Sequence, residues 1–145
     1  MKRVPTALYN RDILRLAASI PHQRRLDRPQ STVEKTSPVC GSRVTVDVAT
    51  DGEGRVAALG QEVRACALGQ ASAALMGAHA IGRSADELGE ARDALAAFLA
   101  GCREDPGSWP GLEIFREARP FTARHASILL SFEAAAEAAA KAGQR

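Results

Sequence analysis

Between residues 43 and 48, valine alternates strictly with polar side chains: Val44, Val46 and Val48 against Arg43, Thr45 and Asp47. A two-residue period puts one set on each face of an extended chain, so this stretch specifies a half-buried strand. Asp51-Gly52-Glu53-Gly54 then supplies the residue types that close a tight turn, and Val56 to Val63 resumes an extended pattern. Thr32 to Thr36 adds a third strand ahead of the pair. Together these segments predict a small antiparallel meander with one face covered.

The texture changes completely after Cys66. The run Ala67-Leu68-Gly69-Gln70-Ala71-Ser72-Ala73-Ala74-Leu75-Met76 is rich in small residues and predicts a closely packed helix. Ser84 and Glu87 have the spacing of a capping box, opening a helix whose apolar face carries Leu88, Ala91, Leu95 and Phe98 or Leu99. A polar loop from Cys102 to Pro110 separates it from a last, alanine-rich helix over about 122–140. Ahead of the strands, Leu8, Ile13, Leu16, Ala17 and Ile20 have helical spacing, and Pro21 is expected to end that helix. Arg24, Arg25 and Arg28 fall in the polar stretch from His22 to Gln30, read as solvated loop. The order of helix, strands and helices predicts an α+β fold, a three-stranded antiparallel sheet with helices packed on one face.

With 145 residues, 46% apolar and 25% charged, the expectation is one domain over 1–145 with a real core. A net charge of +2 gives no argument for nucleic acid or membrane. No apolar run approaches the roughly 18 residues of a membrane span. No signal-like stretch follows the first residues, so the expected location is the cytoplasm.

Three cysteines, at 40, 66 and 102, suit a reduced compartment and thiol or metal chemistry better than a disulfide framework. Cys40 sits in Ser37-Pro38-Val39-Cys40-Gly41-Ser42, where proline and glycine hold a loop tip just before a strand. Cys66 falls between the end of a strand and the start of a helix, where exposed N–H groups and the helix dipole favour an anionic sulfur. Two loop thiols bracketing a hairpin are able to converge on one soft-metal site; the alternative is a pair of inert cysteines. Cys102, between Gly101 and Arg103 in the polar loop, reads as incidental, and His22 and His79 as structural.

From Leu8 to Ala139 the chain resembles the U-type iron–sulfur assembly scaffolds, the IscU, SufU and NifU N-terminal group. Leu8-Tyr9-Asn10-Arg11-Asp12-Ile13 looks like that family's first helix, and Ser37-Pro38-Val39-Cys40-Gly41 is similar to its Asn-Pro-x-Cys-Gly loop. The segment beginning Cys66-Ala67-Leu68-Gly69-Gln70-Ala71-Ser72 resembles its second cysteine motif, and Phe121-Thr122-Ala123-Arg124 its entry to the last helix. The insertion from Gly89 to Glu117, with Trp109, makes the chain look SufU-like. The resemblance implies a scaffold or sulfur acceptor rather than a true catalyst. It implies Cys40 and Cys66 as donors to an iron–sulfur cluster or zinc, a cysteine desulfurase as sulfur source, and cluster carrier proteins downstream. Arg124 matches a family arginine near the site, placed either to stabilise a bound persulfide or to pair with an acid.

Two departures stand beside the match. Ser42 replaces an aspartate of the family pattern, and the third ligand cysteine falls on Ser127, or on Ala126 if His125 sets the register. Serine is a poor soft-metal ligand because its hydroxyl stays protonated near neutral pH, whereas His125 offers an imidazole. The candidate metal-ligating set is therefore Cys40, Cys66, His125 and Ser127. The alternatives are a zinc-dependent sulfurtransferase, or a degenerate module that keeps the docking surface and carries no cluster.

Overall fold

The computed structural model describes residues 10–39 and 41–143. The order among them is α1 (Arg11–Ala17), β1 (Ser31–Thr36), β2 (Arg43–Thr50), β3 (Val56–Arg64), α2 (Ala67–His79), α3 (Ala85–Leu99) and α4 (His125–Ala142). The strands form one antiparallel sheet in the order β1-β2-β3. The α+β fold and its three-stranded meander are as the sequence predicts.

Register follows from the valine alternation. Val46 pairs with Val33 on β1 and with Gln61 on β3, and Val48 pairs with Leu59. Val44, Val46 and Val48 are fully buried and form the floor on which α4 lies. A one-residue slip would turn all three valines away from the helices, so burial locks the register. The Asp51–Gly54 turn closes β2–β3 as expected, with the Asp51 carboxylate accepting from the N–H groups of Glu53 and Arg55.

Helix α2 is buried nearly all round, between α1, α4 and β3. Its small residues permit that approach: the Gln61 side chain from β3 donates to the Pro21 and Ala73 carbonyls, 3.0 and 3.2 Å away. Helix α3 begins with the predicted capping box, Ser84 Oγ accepting from Glu87 N–H and the Glu87 carboxylate from Ser84 N–H. The alanines of α4 let it pack closely against β1, β2, α2 and α3, and Phe98, Phe115 and Phe132 complete the core. Each such ring contributes about 1.5–3 kcal/mol by leaving water.

Three expectations need correction. Helix α1 ends at Ala17 rather than Ile20: Ala18 caps it, and the Ser19 hydroxyl donates back to the Arg15 carbonyl. Its expected first apolar residue, Leu8, lies outside the described residues. The 22–30 stretch is more than solvated loop, because it covers the second face of the sheet. Arg25 grips the buried Asp47 carboxylate through Nε at 2.7 Å and Nη2 at 3.0 Å, while Leu26 N–H and the Thr32 hydroxyl donate to the same group. Gly60 lies directly beneath, where a Cβ would stand 2.5 Å from the Arg24 carbonyl oxygen. Burial pushes the Asp47 carboxyl up, but the Arg25 guanidinium, the Thr32 hydroxyl and the Leu26 N–H together hold it below the usual carboxylate range. Finally, the insertion forms a 3₁₀ segment, Leu112–Ala118, that the sequence reading lacked; its Phe115 and the nearby Trp109 are buried.

Candidate functional site

Antiparallel pairing decides where the site lies. Arg43 at the start of β2 pairs with Arg64 at the end of β3, so the loop before β2 and the junction after β3 emerge at the same end of the sheet. Ser42 and Cys66 are one and two residues beyond that pair, and α4 starts at the same end. The 37–42 loop is closed by Ser37 N–H to the Ser42 carbonyl and Gly41 N–H to the Ser37 carbonyl, both 2.8 Å. Gly41 takes φ +72°, a left-handed conformation that glycine adopts without steric cost. Cys40 lies outside the described residues, and with it the expected contact between the Cys40 and Cys66 sulfurs.

Cys66 is the N-cap of α2, but its side chain caps no backbone group of the helix. Its sulfur instead faces α4, 3.3 Å from the Ser127 hydroxyl, which in turn lies 3.2 Å from the Ser42 hydroxyl. Ser127 and Ser42 are both buried, while Cys66 is half-buried at the mouth. The two hydroxyls and the thiol thus form one continuous polar chain across three elements. Gly69 makes room for it: a Cβ there would stand 2.5 Å from Ser127 Oγ.

This geometry distinguishes the two registers of the last helix. Ser127 points at Cys66, whereas Ala126 is exposed. His125 directs Nε2 to the Ala118 carbonyl at 2.9 Å, which requires that nitrogen to donate and leaves Nδ1 outside that bond. Arg124 forms no ion pair among the described residues. Ser42 and Gly69 are the participants that motif reading missed as contacts; the only signals were the displaced aspartate and a small residue one turn into α2.

Among the described residues no three His, Cys, Asp or Glu side chains gather around a common point. The described part of the site therefore offers a metal one soft donor, the Cys66 sulfur, flanked by hydroxyls of low affinity for soft ions. Cys102 is exposed just beyond α3, and His79 packs edge-on against Trp109, 6.2 Å between ring centres. A cleft of about 750 Å³ between α3 and the 103–109 loop contains no cysteine, and its Glu87 and Asp105 are held in ion pairs with Arg55 and Arg103.

The fold and site define an α+β protein with a thiol at a helix N-terminus, presented at the open end of a three-stranded sheet. The N-terminal part of a nitrogen-fixing NifU-like protein from Brucella abortus is similar: 36% identical, TM-score 0.90, covering 97% of each chain. A protein assigned as an iron–sulfur cluster assembly scaffold of the SUF system of Fervidobacterium islandicum AW-1 is 20% identical, with TM-score 0.85 over 94% of this chain and 99% of the other; at that identity it shows the shared fold. No family model and no curated protein matches the chain. The chain belongs to the NifU-like family, within the U-type iron–sulfur assembly group.

Proposed function

We propose that the chain is an iron–sulfur cluster assembly scaffold working at the sheet end that carries Cys66. The observation carrying this reading is the Cys66 sulfur at the N-terminus of α2, facing the third-ligand position of α4, in a chain 36% identical to a NifU-like protein over 97% of its length. The cluster is cargo, held by Cys66 together with Cys40, with His125 Nδ1 as a further donor. Sulfur arrives from a cysteine desulfurase: a cysteine thiolate of the scaffold attacks the outer persulfide sulfur, and the desulfurase thiolate leaves. Carrier proteins take the finished cluster onward. No helix among the described residues is long and apolar enough to cross a membrane, which fits the proposed cytoplasmic setting.

A second reading has its own support. Hydroxyls at 42 and 127 occupy the places where the family pattern carries a carboxylate and a thiol, which favours a module that docks assembly partners without holding a cluster. Anaerobic purification followed by iron, sulfide and zinc analysis separates the readings. A scaffold carries iron with sulfide and loses both in Cys66→Ala. Zinc alone supports a zinc-dependent sulfur acceptor, and no stoichiometric metal overturns the scaffold in favour of the module.

A further inference from the structure

The Ser127 hydroxyl lacks the partner that a helix serine ordinarily takes. Ser19 and Ser72 donate to backbone carbonyls, those of Arg15 and Ile128, which keeps their protons away from reactive groups. Ser127 makes no such bond. Its two contacts among the described residues are Cys66 Sγ at 3.3 Å and Ser42 Oγ at 3.2 Å. Ser127 is 1% exposed and Ser42, behind it, 3%, so little water competes for either hydroxyl and their bonds are strengthened by the low local dielectric. The Cys66 sulfur in turn caps no N–H of α2, and Ser127 is its one hydrogen-bond partner among the described residues.

The direction of this chain of hydroxyls follows from the charge on the sulfur. A sulfur that carries negative charge only accepts, so Ser127 must donate to it and must itself accept from Ser42. The donor therefore acts whenever charge builds on Cys66 Sγ, and one step of sulfur chemistry builds it there. Once Cys66 carries a persulfide, an acceptor thiolate attacks the outer sulfur. A new S–S bond forms to the acceptor, the bond to Sγ breaks, and its electron pair stays on Sγ: Cys66–S–SH and RS⁻ become Cys66–S⁻ and RS–SH. We infer that Ser127, backed by Ser42, stabilises Cys66 Sγ as the leaving group and so sets the rate at which sulfur passes from Cys66 to an acceptor thiol. Loading is the opposite case, because an attacking sulfur loses charge and the same hydrogen bond gives it no help. The two hydroxyls thus favour delivery over capture. The inference rests on the proposed function in taking Cys66 as the thiol that accepts sulfur.

The test loads the full reduced chain with sodium tetrasulfide, removes the excess and adds glutathione as acceptor. Mass-spectrometric mapping follows the gain and loss of one sulfur on the peptide that contains Cys66. In the loaded state Sγ carries no proton, so the unloading rate is independent of the titration of the free thiol. Ser127→Ala is expected to slow unloading about tenfold, a modest case of removing one preorganised donor from a developing anion. Loading of the same variant should change by less than about twofold. Ser42→Ala leaves the Ser127–Cys66 contact in place and should show the same asymmetry in smaller measure; it carries the test if Ser127→Ala does not fold. Ser72→Ala removes a hydroxyl deeper in the same seam between α2 and α4 and should leave both rates unchanged. Thermal unfolding confirms that each variant is folded. Unloading as fast without the Ser127 hydroxyl as with it, or loading and unloading slowed alike, overturns the inference. So does an equal slowing by Ser72→Ala, because that marks an effect of packing. A chain that shows the asymmetry but binds neither iron nor sulfide refutes the scaffold reading and leaves the role of Ser127 standing; the reverse pair of results does the opposite.

Discussion

Gly69→Ala tests whether the contact between α2 and α4 is as tight as the thiol–hydroxyl chain requires. Elsewhere in a helix this change is favourable by up to about 1 kcal/mol, because alanine has less backbone freedom to lose. Here the new Cβ would lie 2.5 Å from Ser127 Oγ, 2.8 Å from Ala65 Cβ and 3.2 Å from the Ser127 carbonyl oxygen. The hydroxyl has little freedom to retreat, since Ser42 and Cys66 already hold it. Overpacking of this kind costs about 1–3 kcal/mol and outweighs the helix gain. The net expectation is a loss of about 1–2 kcal/mol and a Tm lower by about 3–8 °C, read by thermal unfolding of the reduced protein. Ser127→Ala removes the closest atom, so Gly69→Ala should cost about 1 kcal/mol less in that background. A Gly69→Ala protein more stable than the parent, or one whose cost is unchanged by Ser127→Ala, would refute the packing argument.

Ser127→Cys should raise zinc affinity at least about tenfold in a chelator competition, because its sulfur replaces an atom 3.3 Å from Cys66 Sγ and a tetrahedral zinc holds two thiolates about 3.8 Å apart. Ala126→Cys should leave affinity unchanged, since that position is exposed; equal effects from the two changes would show the register to be misread. Cys102→Ser should alter stability by under about 0.5 kcal/mol and leave metal content as it was, with any loss of bound metal counting against the placement of the site. Asp47→Asn should cost roughly 2 kcal/mol at neutral pH by breaking the Arg25 clamp, measured by urea unfolding. Because the folded Asp47 carboxyl lies below its ordinary range, its contribution is complete above the unfolded value and is lost as pH falls through the folded one. Asp47→Asn should therefore flatten the acid limb of stability, and an unchanged limb would rule the clamp out as its source.

Patterns of short range were legible in the sequence. The valine alternation set the strand faces, Asp51-Gly52-Glu53-Gly54 the turn, and Ser84 with Glu87 the start of α3, because each depends on neighbours within a few residues. The cysteine motifs likewise carried the family resemblance before any coordinates. Contacts between distant residues were not legible. That Asp47 is buried yet satisfied depends on Arg25, 22 residues earlier, folding back across the sheet. The choice between Ala126 and Ser127 is a rotation of about 100° about a helix axis, which only packing against α2 decides. Ser42, Cys66 and Ser127 are separated by 85 residues from first to last, and they touch because antiparallel pairing brings both strand ends to the start of α4. Periodicity records which side of an element faces inward; which inward-facing residues meet is decided only when elements remote in the chain pack together.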